Sequence, residues 1–106
     1  MSTSVIHIKD AISGWKTNPA YVYIGRRNLK LELPESPFHN PYYLAQENDR
    51  NQVCDDFEDY FSKNFALKNL ALELLVNKIL VCFCKKTPDI RCHGDTLARF
   101  VNENGD

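Results

Sequence analysis

Ile79-Leu80-Val81-Cys82-Phe83-Cys84 is six apolar residues in a row, apolar on both alternating faces. A strand of that kind belongs in the centre of a sheet covered on both sides. It is far too short for a membrane span, which needs roughly 20 apolar residues. Upstream, Val53, Phe57, Tyr60, Phe61 and Phe65 recur at helical spacing with Asp55, Asp56, Glu58 and Asp59 between them, so 51–65 reads as an amphipathic helix with a solvated acidic face. After a break near Asn64, Leu67, Leu70, Ala71, Leu74 and Leu75 repeat the pattern in a second helix. Downstream, 85–91 reads as a polar turn, and Leu97, Ala98, Phe100 and Val101 form the apolar face of a last helix starting near Asp95 or Thr96. Residues 102–106 read as a frayed tail.

Toward the other end, Ser4-Val5-Ile6-His7-Ile8 and Tyr21-Val22-Tyr23-Ile24 are short, β-branched or aromatic runs that read as strands. The stretch 11–19 between them reads as connection, with Trp15 capping the edge of the core. Residues 29–49 carry Pro34, Pro37 and Pro41 among aromatics, which excludes a long helix. Compact domains rarely carry so long an irregular segment unless it binds something or is mobile, and the aromatic content of 29–49 argues for packing, which makes it the candidate ligand-covering loop. The order strand, strand, loop, helix, helix, strand, helix predicts a single α/β domain over 1–106. Its sheet has three or more strands, at least partly parallel, flanked by helices.

The chain has 106 residues, 43% apolar and 25% charged, with a net charge of −1. There is apolar material for one core, and no global basic field that would draw the chain to nucleic acid or an anionic membrane. Met1 to Asp10 lacks the build of a signal peptide, and the four cysteines are expected to be reduced thiols in a cytoplasmic protein. No cofactor is expected.

In a parallel sheet ligands gather beyond the carboxyl ends of the strands. Gly25-Arg26-Arg27 and the segment from Cys84 to Gly94 should meet there. An arginine after a strand suits a bidentate clamp on phosphate or carboxylate, against the alternative of a solvated turn. In Phe38-His39-Asn40-Pro41-Tyr42-Tyr43, rings can stack on a base and Asn40 can read its edge, or the aromatics merely cover the core. Cys92-His93-Gly94-Asp95 stands before a helix, where backbone N–H groups favour an anion and Gly94 lets the backbone approach a ligand. Equally, Asp95 is simply the helix cap. Cys82, Cys84, Cys92 and His93 are weak candidates for a metal, with spacing unlike a zinc finger or ribbon, and a core cysteine is the commoner reading. Cys92 as nucleophile with His93 or His39 as base, and Asp95 as a further acid–base group, is the catalytic alternative.

Taken in order, Trp15, Tyr23-Ile24-Gly25-Arg26, Ser36-Pro37-Phe38-x-Asn40-Pro41, Cys82-x-Cys84 and Cys92-His93-Gly94-Asp95-x-Leu97 resemble a small domain-of-unknown-function family of phages and bacteria, the DUF4326 family. The resemblance spans roughly residues 5 to 101. The chain departs from the family pattern in carrying His39 where glycine is usual, and a longer spacer before Pro88. The resemblance implies an intracellular, often phage-encoded α/β domain and brings no activity with it. Together these readings predict binding of a small nucleotide-like anion (nucleotide, cyclic nucleotide or ADP-ribose type), with Gly25, Arg26, Asn40, Tyr42, Tyr43, His93, Gly94 and Asp95 as ligand-binding residues. A phage protein of this kind would sequester a host immune signal, and a homo-oligomer with pockets between chains would suit it. The alternative is an enzyme on a nucleotide or nucleobase, of glycosidase or transferase type, using Cys92, His93 or Asp95.

Overall fold

The computed structural model describes residues 2–42, 46–83, 85, 87 and 89–105. The apolar run forms β3 (Ile79–Cys82), and β1 (Ser4–His7) and β2 (Tyr21–Tyr23) flank it, in the order β1-β3-β2. Both pairings are parallel, with Ser4 opposite Ile79 on one side and Tyr21 opposite Ile79 on the other. The chain is thus a small α/β domain whose last strand in sequence is its central one. Leu80, Val81 and Cys82 are all buried, as a strand covered on both faces requires.

Among the described residues three α-helices complete the domain: α1 (Arg50–Ser62), α2 (Phe65–Leu74) and α3 (His93–Asn104). Asn64 separates the first two by accepting from Leu67 N with its side chain, an N-cap where the sequence predicted a break. Leu80 and Cys82, on one face of β3, join Phe57, Phe61, Ala71 and Leu97 in the core. On the other face, Tyr23 packs against Trp15 and edge-on to Phe83, the rings 6.4 and 6.2 Å apart. The 29–49 stretch is anchored in its first half: Leu33 pairs with Asn28, and Phe38 is sunk into the core.

The end of the chain differs from expectation. Helix α3 starts at His93, earlier than the predicted Asp95 or Thr96, because Cys92 is the N-cap: its Sγ accepts from Gly94 N at 3.2 Å. Asp95 is the third helical residue and closes a capping box, accepting from Cys92 N at 2.9 Å. The predicted frayed tail is helical through Asn104, held by Asn102, whose side chain accepts from Thr3 N at 2.7 Å and donates to Thr3 O at 3.0 Å. The third strand ends at Cys82, two residues before the predicted end, and Cys84 lies outside the described residues, as does Asp106.

Candidate functional site

At the carboxyl ends of β2 and β3 the sheet opens into a cavity of about 310 Å³. Gly25 and Arg26 enter it directly from β2. Tyr23 folds back over Gly25, and its hydroxyl donates to Arg26 O at 2.5 Å. A Cβ on Gly25 would lie 2.5 Å from that same Tyr23 oxygen, so only glycine lets the ring close the turn. Arg26 then donates from Nη2 to Asn40 O at 2.7 Å, which ties the loop after β2 to the proline-rich segment. Asn40 itself accepts from Tyr42 N at 2.9 Å and reaches Val53 O at 3.5 Å, so its amide braces the loop against α1.

The floor of the cavity is made by Cys82 at the end of β3 and by Cys92 and His93 at the start of α3. His93 is buried, its Nε2 2.8 Å from Ile24 O and its ring edge-on to Phe57 at 5.1 Å. A carbonyl only accepts, so Nε2 carries the proton. Burial pushes the imidazole below its usual value, against a smaller opposing effect of the Ile24 hydrogen bond, and holds the ring neutral at pH 7. Cys82 Sγ and Cys92 Sγ lie 3.4 Å apart. Cys54, which the sequence treats as a bystander, is buried and lines the same cavity. Burial raises its thiol, and the charges of Arg91 and Arg50 oppose that.

Of the residues predicted to bind a ligand, Gly25, Arg26, Asn40, Tyr42 and His93 all line the cavity. Tyr43 lies outside the described residues. Gly94 and Asp95 do not line it. A Cβ at Gly94 would sit 2.8 Å from both Ile24 Cδ1 and Val5 Cγ1, so this glycine serves the approach of α3 to the sheet. Asp95 is paired with Lys85 Nζ at 2.9 and 3.0 Å, and Lys85 also donates to Ile90 O. His39 stands apart from the cavity lining, its Nδ1 2.7 Å from Ser36 O and its Nε2 3.8 Å from Glu35. Among the described residues no group of three or more His, Cys, Asp or Glu side chains is placed to hold a metal ion.

Sequence reasoning missed Arg50, which joins Arg26 and Arg27 in the lining and donates to Arg91 O at 3.0 Å. Its signal was a cation on the first residue of α1, where the helix dipole favours acids and where no acidic residue stands. The solvated acidic face is partly spoken for: Arg91 pairs with Asp55 at 2.6 Å and Glu58 at 3.6 Å, and Arg99 with Glu58 at 3.2 Å. The cavity lining therefore carries three arginines and, among the described residues, no carboxylate.

No described helix is long and apolar enough to cross a membrane. No curated protein and no solved structure matches the chain significantly. The model of the family described as domain of unknown function DUF4326 matches residues 6–103, nearly the whole domain and every element that shapes the cavity, and the chain belongs to that family.

Proposed function

We propose that the domain binds a small anionic, nucleotide-like ligand in the cavity at the carboxyl ends of its strands. The observation that carries this reading is the gathering of three guanidinium groups, Arg26, Arg27 and Arg50, in the lining of one cavity at the strand ends, in a chain whose net charge is −1. Guanidinium groups suit phosphate or carboxylate in bidentate pairs. Tyr42 and Phe83, both partly exposed at the same cavity, offer ring faces to a base, and Asn28 and Asn40 add polar groups. At about 310 Å³ the space lies at the small end of ligand pockets and suits one nucleotide-sized body.

Binding is favoured over turnover because the candidate acid–base groups have structural work: His93 Nε2 on Ile24 O, and Asp95 on Lys85 and Cys92 N. A protein that holds such a ligand without altering it sequesters it, and the immune-signal role of a phage protein is the biological form this reading takes. The test is native mass spectrometry of the reduced protein, then a melting-temperature screen with nucleoside monophosphates, cyclic nucleotides and ADP-ribose. A ligand held well above its Kd should raise the melting temperature in proportion to the logarithm of its concentration. Arg27→Ala should weaken that ligand about tenfold or more. Release of the ligand chemically intact on denaturation supports binding, product release supports the enzyme, and a panel that leaves the melting temperature unmoved refutes both.

A further inference from the structure

We propose that Cys82 and Cys92 form an oxidisable dithiol, a disulfide site in the floor of the cavity whose oxidant is a small hydroperoxide. The two sulfurs are already 3.4 Å apart, and both residues line the cavity, which gives a small oxidant a route to side chains that are otherwise buried. Bonding requires them to close to about 2.0 Å, a movement of little more than an ångström. Cys82 sits at the end of a strand paired on both sides, and Cys92 at the start of α3, so the bond would staple the central strand to the helix. Phe83, next to Cys82, and Arg91, next to Cys92, lie outside any helix or strand.

The surroundings divide the roles. Cys92 Sγ accepts from Gly94 N at 3.2 Å, at the positive end of a 12-residue helix, which favours its thiolate as the attacking group. Cys82 Sγ is 3.8 Å from Ile6 O, which only accepts, so Cys82 carries a thiol proton that it can direct to that carbonyl or to Cys92. The Cys92 sulfur attacks a peroxide oxygen, the O–O bond breaks, and Cys92 is left as a sulfenic acid while its own proton leaves with the first water. The Cys82 sulfur then attacks the Cys92 sulfur, the S–O bond breaks, and the second water leaves with the Cys82 proton. Two thiols and one hydrogen peroxide thus give one disulfide and two waters.

The experiment treats the folded protein carrying Cys84→Ser with stoichiometric hydrogen peroxide, blocks remaining thiols with an alkylating agent, and maps tryptic peptides without reductant. The expected result is loss of two hydrogens in mass and of two alkylatable thiols. Residues 79–85 should be joined to residues 92–99, and a reductant should separate them. A linkage through Cys54, a sulfinic acid on Cys92 with Cys82 still alkylatable, or three unmodified thiols would each overturn the proposal. Cys82→Ala supplies an independent arm: it should stop the reaction at a sulfenic acid on Cys92, trapped by a dione reagent, and an unreactive Cys92 there refutes its assigned role.

Discussion

At the floor of the cavity, His93 donates to Ile24 O and Cys92 caps α3; behind the lining, a Cβ at Gly94 would meet Ile24 and Val5. At the rim, Arg26 and Arg27 are exposed, Tyr42 is 42% exposed, and Arg50 is half-buried. Both regions touch the same cavity, yet the floor is fastened into the core and the rim stands in water. A floor residue is therefore expected to act on stability first. A rim arginine is expected to act on a ligand with little effect on the fold, since exposed charges contribute little to stability.

Gly94→Ala should show the cost of disturbing the interior most strongly. The added methyl meets Ile24 Cδ1 and Val5 Cγ1 at 2.8 Å, so these side chains or the helix must shift. A loss of about 1–3 kcal/mol in urea unfolding is expected. An unchanged midpoint would mean that α3 does not sit tightly against Val5 and Ile24, and the distinction between a fastened interior and an exposed rim would fail with it.

Next in size is a pH effect at His93. Its folded value is lowered below the ordinary 6.5 by burial, so the native ring stays neutral while the unfolded ring takes up a proton. The unfolded state then binds more protons, and stability falls as pH drops through about 6.5, with a limiting slope of about 1.4 kcal/mol per pH unit. Above that pH the group contributes no slope. Urea midpoints from about pH 7 to about pH 5 should fall in the native protein and fall less in His93→Gln, which keeps an N–H donor. Equal slopes in the two proteins would show that the floor does not exclude the proton.

Arg27→Ala should give the smallest stability effect, within about 0.5 kcal/mol, since the side chain is exposed at the rim. A larger loss would move Arg27 from the ligand side of the comparison to the structural side. Measured beside the ligand screen, this variant sharpens the contrast: stability unchanged, affinity lost.

The central strand was legible because its burial is local information: apolar residues at every position of 79–82 can only be covered on both faces. The break at Asn64 was equally local, a side chain capping its own helix. The start of α3 was misjudged because Asp95 is the commoner capping residue, whereas the sulfur of Cys92 takes the cap and Asp95 supports it from the third helical position. The helical end of the chain depends on Asn102 meeting Thr3, a contact between opposite ends that no local pattern announces. In the site, the strand ends suggested that Gly25 and Arg26 meet the segment leading to His93, and these residues line one cavity together with Asn40 of the proline-rich segment. The approach of Arg50 and Cys54 depends on how α1 lies across the sheet, which is a packing outcome of Phe57 and Phe61 rather than of any motif.

The strand order also governs when the domain can form. Among the described strands, β1 and β2 each pair with β3 and not with each other, so neither edge strand has a sheet partner until Ile79–Cys82 is available. During synthesis the two edge strands must therefore wait unpaired while the segment that unites them is still being made. The helices α1 and α2 precede that strand and can collapse first, but the pairing of Ser4 with Ile79 spans most of the chain. Folding should accordingly be late and slow for a domain of this size, governed by closure of long loops rather than by helix formation.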